Sequence, residues 1–143
     1  MGPAEVANAH DDAWNQKDAE GRKRLTSPGM ELEMPGGMNF KGVEQIQMVE
    51  GAFWEALPDS QIKISDRFVD GDTVISEGAL TGSHTGTFRT PQGDVPASGN
   101  VVTLRFASVK LIGGGQIVSE RMYFDQMEFL GQIGALPPGP GPS

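Results

Sequence analysis

Few side chains in this sequence can carry a reaction, and the carboxylate of Asp125 is the first of them. It follows Met122, Tyr123 and Phe124, so it ends an apolar strand rather than sitting on a charged surface. In such surroundings a carboxylate loses hydration, which suits it to act as base and then as acid near neutrality. The same residue precedes a helical segment and can instead cap it, accepting a backbone N–H from Met127 or Glu128. His84, one of two histidines, is flanked by small residues that leave space around it. It can hydrogen-bond a carbonyl or relay a proton, or simply bond to neighbouring sheet backbone. His10, on the first helix near Trp14, reads as a surface or rim residue.

Trp14, Phe53 and Trp54 offer rings on which a flat ligand can stack, or they pack as ordinary core. Arg105 and Arg121 are strand residues. Arg121, Tyr123 and Asp125 share one parity, so together they either enter a cavity or meet another subunit. An arginine inside the cavity would bind an enolate oxygen; a surface or interface position is the plainer reading. Two distant histidines without cysteine make poor metal ligands, so no metal site is expected. There is no GxSxG elbow, and Gly113-Gly114-Gly115 lacks the Lys-Ser/Thr of a phosphate loop. Glu31, Glu33, Glu44, Glu50 and Glu55 read as solvated faces.

The elements that must position these groups fit one domain, residues 1–136, in a chain of 143. A net charge of −8, with 11 scattered Lys and Arg, argues against nucleic acid as a partner. No uncharged apolar run approaches the ~18 residues of a membrane span, and the N-terminus lacks a signal-peptide pattern. With no cysteine, a cytoplasmic location is the expectation.

Val6, Ala13 and Trp14 predict a helix over about 4–17. Asp18 caps a second short helix, which Ser27-Pro28-Gly29 ends. Met30 to Met34 alternates as a strand. Val43, Ile46, Val49, Phe53 and Leu57 mark a third helix, lying across a sheet. Ile62 to Val69, Thr73 to Thr81, Val101 to Leu111 and Gln116 to Asp125 read as strands, with a hairpin at Asp70-Gly71. Gly82 to Gly86 reads as a bend or bulge, Pro91 to Gly99 as a loop, and Gln126 to Ile133 as a last helix. The run 137–143 reads as a mobile Pro/Gly tail. Helices first and long antiparallel strands after them make an α+β fold, a cone of curved sheet with an open mouth suited to a small molecule.

Several pieces resemble the SnoaL-like polyketide cyclases of the nuclear transport factor 2-like superfamily. They are Leu57-Pro58-Asp59, Val69 to Val74, Gly82 to Gly86, Gly115 to Asp125 and the closing Gln126 to Gly134. The resemblance covers about Val6 to Leu136. It implies a conical α+β barrel, usually dimeric or tetrameric through the outer sheet face, with a deep hydrophobic pocket. It also implies an intramolecular aldol ring closure without metal or cofactor, on a small hydrophobic polycyclic substrate, with the residue at Asp125 as acid/base; His84, read from the residues and not from the resemblance, would help to stabilise the enolate. Relatives with the same fold are epoxide hydrolases, isomerases and non-catalytic modules. The epoxide hydrolases carry an Arg-x-Asp pair on a central strand, where this chain has Ser76-Glu77-Gly78-Ala79. A steroid-type isomerase needs a tyrosine and an acid together, and Tyr123 is the only tyrosine. The competing class, a binding or oligomerisation module, predicts Asp125 as a plain cap and a cavity filled by Met and Phe side chains.

Overall fold

The computed structural model describes residues 1–136; the run read as a mobile tail, 137–143, lies outside them. Pro3 at the first turn and Glu5 beside it open helix α1 (Pro3–Asn15). Its buried positions are Val6, Ala7, His10, Asp11, Ala13 and Trp14, the i, i+4, i+7 stripe of a helix laid on a sheet. His10 and Asp11 therefore ride on the inner face, and His10, 1 % exposed, is not the rim residue expected from sequence. Asp18 caps α2 (Ala19–Arg24) by accepting from Gly21 N at 2.9 Å. In α3 (Val43–Ala56) the four-residue step from Ile46 buries Glu50, which corrects its reading as a solvated side chain.

The strands are β1 (Thr26–Met34), β2 (Met38–Lys41), β3 (Gln61–Asp70), β4 (Thr73–Ser83), β5 (Phe88–Thr90), β6 (Gly93–Val95), β7 (Val101–Gly113) and β8 (Gln116–Phe124). A last helix, α4 (Gln126–Gln132), follows. Six strands form a curved sheet in the order β2-β1-β8-β7-β4-β3, antiparallel except where β1 meets β8. The α+β class is as expected. β1 starts earlier than the alternation suggested: Ser27-Pro28-Gly29 does not stop the chain but sits in a register irregularity of β1 against β8. β2 had no signal of its own in the sequence, and the segment read as a loop holds β6, paired with β5 in a separate small hairpin. Beyond Ser83 the chain leaves the sheet, and at Gly86 a Cβ would come within 1.8 Å of the Glu55 carbonyl oxygen, so only glycine allows this approach.

One irregularity decides which side chains of β8 face inward. Leu111 pairs with Ser119 and Ile112 with Ile117, which leaves Val118 as an extra residue in β8. Such a bulge flips the parity of everything beyond it. Ile117 is buried before it; after it Glu120, Met122 and Phe124 turn inward, while Arg121 and Tyr123 are exposed. The core forms two clusters. One, around Val6, Met30, Leu32, Ile46 and Ile117, lies under the start of α1; the other gathers Trp14, Leu57, Leu80, Leu104 and Phe129. Among the described residues no helix is long and apolar enough to cross a membrane.

Candidate functional site

Between these clusters lies a partly enclosed cavity with an interior of about 90 Å³. Its walls are apolar, drawn from Trp14, Phe53, Leu80, Leu104 and Phe124, with the thioethers of Met30, Met34 and Met122. Its polar groups are Asp11, Arg22, Glu50, Ser108, Lys110 and Glu120. Each reaches the cavity through the period of its own element. Ser108 and Lys110 continue the inward row of β7 that Val102 and Leu104 begin, and Glu120 stands directly across from Lys110 on β8.

These charges are organised. Arg22 donates from Nε to Glu50 Oε2 at 2.8 Å and from Nη1 to the His10 carbonyl at 2.8 Å, with its guanidinium 5.2 Å from the Trp14 ring centroid. One arginine thereby ties α1, α2 and α3 together. Lys110, 2 % exposed, donates to Asp11 Oδ1 at 3.0 Å, and Arg67 of β3 bonds the other oxygen of Asp11. Burial alone would raise the pKa of Asp11, but its contacts with Lys110 and Arg67 outweigh that and hold it below the ordinary carboxylate range. Glu120 is the contrasting case. Burial pushes its pKa up, the nearby Lys110 and Arg22 only partly offset this, and Asp11 and Glu50 add to it. No side chain among the described residues hydrogen-bonds or ion-pairs with Glu120. His10 has both ring nitrogens unpaired, and burial, followed by Arg22, Lys110 and Arg67, keeps it neutral by lowering its pKa well below the usual value.

The residues singled out from sequence are distributed differently. Trp14 and Phe53 line the cavity, and the Trp14 indole donates to Ser60 Oγ at 3.1 Å. Trp54 packs beside Trp14 with centroids 5.2 Å apart but does not line the cavity. Asp125 is not delivered to the cavity. It is the N-cap of α4, accepting from Glu128 N at 3.1 Å, and it borders a groove on the outer sheet face with Lys63, Arg105, Tyr123 and Glu128. Arg105 and Arg121 are also outside: Arg105 lies 3.6 Å from Glu128, and Arg121 Nε donates to the Tyr123 hydroxyl at 3.2 Å. The physical reason is the bulge at Val118, which turns the Arg121–Tyr123–Asp125 row outward.

His84 is fully buried but lies apart from both the cavity and Asp125. Its Nδ1 accepts from Ser98 N at 3.2 Å and lies 2.8 Å from Ser98 Oγ, which places its proton on Nε2. Burial lowers its pKa. It fastens the segment before β7 to the end of β4. Sequence reasoning missed Asp11, Arg22, Lys110 and Glu120. The usable signals were a lysine on the same strand parity as Val102, Leu104 and Phe106, and an acid three residues before Trp14 on one helix face.

What this arrangement can do is move a proton inside an apolar chamber next to a fixed ammonium group. Among solved structures, the fold is similar to that of a proposed SnoaL-like polyketide cyclase from Jannaschia sp. CCS1, with TM-score 0.82, 23% identity, and 95% of this chain and 93% of that one covered. It is similar to IdmH, a proposed polyketide cyclase from Streptomyces antibioticus, with TM-score 0.78, 21% identity, and coverage of 94% and 99%. AclR, a proposed hydroxylase from Streptomyces galilaeus, is similar at TM-score 0.79, 20% identity, and coverage of 96% and 88%. No curated protein gives a significant match. Neighbours of different proposed activity share the fold, so at these identities the likeness speaks for the fold alone. Residues 4–133 match the SnoaL-like polyketide cyclase family over nearly the whole chain, and the protein belongs to that family.

Proposed function

We propose that the chain closes a ring by intramolecular aldol addition in this cavity, with Glu120 as the acid/base and Lys110 as the group that binds the enolate oxygen. The observation that carries this reading is the pair itself. Glu120, buried and without a hydrogen-bond partner among the described residues, stands across the strand pair from the buried ammonium of Lys110, in a chamber whose walls are mainly apolar. In the ionised state Glu120 takes a proton from a carbon between two carbonyls, and negative charge moves to an oxygen beside Lys110. The enolate carbon then attacks a second carbonyl of the same substrate, forming the C–C bond. The new alkoxide takes the proton back from Glu120, so the enzyme ends as it began. No step calls for a metal or a cofactor. Proton transfer of this kind supplies roughly 10²–10⁴ in rate, enough only for an already acidic C–H. Apolar walls add the folded conformation of the chain that attack requires. Asp125 in this reading remains the cap of α4.

The interior of about 90 Å³ is smaller than the ~150 Å³ known to admit benzene, so a polycyclic substrate requires Met30, Met34 and Met122 to swing aside. That narrowness favours a second reading, a binding module without turnover. Hydrogen exchange separates the two. In deuterated water the wild type should exchange the acidic C–H of a polyketide-derived diketone, and Glu120→Gln should do so at least 10²-fold more slowly. Equal rates in the two proteins, or no catalysed exchange in either, would leave the binding module standing.

A further inference from the structure

We propose that the space between Lys110 and Glu120 is a binding subsite for one oxyanion, the carboxylate of a small apolar acid, and that Asp11 holds it open. The proposal rests on reading the cavity as the substrate site and names the ligand chemistry that site selects.

Lys110 and Glu120 are directly opposed on neighbouring antiparallel strands and lie on the same, inward face. Opposite charges in that position normally close on each other. Here they do not: the ion pair Lys110 makes among the described residues is with Asp11, at 3.0 Å. Asp11 is itself anchored from behind, because Arg67 bonds its second oxygen while also bonding Asn8 and, at 3.0 Å from Nε, Ser76 Oγ. The lysine is thus drawn toward α1 and away from β8. An ammonium group has three donors, and one is used. The others are buried at the cavity wall, where leaving them unfilled is costly.

The charges around the gap say what fills it. Around Glu120 stand Lys110 from β7, Arg22 from α2, Asp11 from α1 and Glu50 from α3, with Arg67 of β3 acting through Asp11; His10, buried on the same face of α1 as Asp11, is neutral. Three cations stand against Asp11 and Glu50. Ionised Glu120 makes the set neutral overall; the proton that burial favours on Glu120 leaves it at a net +1, which an entering anion offsets. An anion therefore enters together with a proton on Glu120. The ligand's body must be apolar, because the walls offer carbon and sulfur. This state also reproduces the charges of an enolate formed beside protonated Glu120.

The test is calorimetric titration with benzoate, and with butyrate as a narrower probe, across a pH series and in two buffers of different ionisation enthalpy. Expected is saturable binding that takes up close to one proton and weakens, toward tenfold per pH unit, above the raised Glu120 pKa. Lys110→Met should weaken it at least tenfold. Asp11→Asn should do the same by letting Lys110 close on Glu120, whereas the outer-face Asp125→Asn should leave it unchanged. Absence of saturable binding by both acids, binding without proton uptake, or affinity indifferent to Lys110→Met would overturn the proposal. Should either cavity variant fail to fold, proton uptake in the wild type decides alone. Proton-linked binding without substrate C–H exchange would retire the cyclase reading and keep this subsite; exchange without such binding would do the reverse.

Discussion

Replacing Glu120 by Gln should stabilise the protein at neutral pH while removing its chemistry, and the pH dependence of that gain can be worked from the structure. Burial raises the Glu120 pKa above its ordinary value of 4.5, so between that value and the folded-state one the native protein holds a proton the unfolded chain has lost. Native-state proton excess means that stability falls as pH rises. The stabilising contribution is complete below pH 4.5 and disappears as pH climbs to the folded pKa, beyond which the curve is flat. For one proton the slope is at most about 1.4 kcal/mol per pH unit. Gln keeps the shape and does not titrate. Asp11, whose lowered pKa gives the opposite slope as pH falls, is present in both proteins and largely cancels in the difference. Denaturant unfolding of wild type and Glu120→Gln across that range should give curves that meet at acid pH and separate above it. Each kcal/mol appears as roughly 2–6 °C in Tm. A constant difference at every pH, or a wild type that gains on the variant as pH rises, would refute the placement of Glu120 in a desolvated site.

The remaining expectations concern the scaffold. Asp125→Ala removes the side-chain acceptor for Glu128 N and should cost about 1 kcal/mol in unfolding free energy, with ligand binding in the cavity unaffected. Glu50→Gln leaves the Arg22 guanidinium buried without its counter-charge and should cost roughly 3–5 kcal/mol, whereas Arg22→Met combined with Glu50→Leu should come close to wild-type stability in the same denaturation assay. Phe129 is buried against Phe53, Phe88 and Phe124 at centroid distances of 5.9, 5.7 and 6.3 Å, so Phe129→Ala should cost about 3–5 kcal/mol and lower Tm accordingly.

The long helices and strands were legible because their periods are clean: α1 through Val6, Ala13 and Trp14, and β1 through the strict alternation of Met30 to Met34. β2 was not legible, because a four-residue strand after Gly36-Gly37 carries too little pattern to stand out. The site was half legible. Trp14 and Phe53 line the cavity as aromatic residues on inward helix faces should. The row of β8 was ambiguous, since Arg121, Tyr123 and Asp125 share a face that could point either way. Counting by twos from buried Ile117 places that row inside; the extra residue Val118 reverses it and brings in Glu120, Met122 and Phe124. A single-residue bulge has no composition of its own, so only pairing with β7 reveals it. The buried charges escaped for a different reason. Asp11, Arg22, Glu50 and Lys110 each look like surface residues, and only their mutual pairing from separate elements makes their burial tolerable.

We propose Glu120, inside the cavity, and not Asp125 on the outer face, as the reacting carboxylate. Single-turnover ring closure of a polyketide-derived diketone by Glu120→Gln and by Asp125→Asn, both checked for folding, compares the two directly. Turnover should fall by roughly 10²–10⁴ in Glu120→Gln and stay near the wild-type rate in Asp125→Asn if Glu120 is that carboxylate. Loss of turnover in Asp125→Asn with Glu120→Gln still active would contradict it.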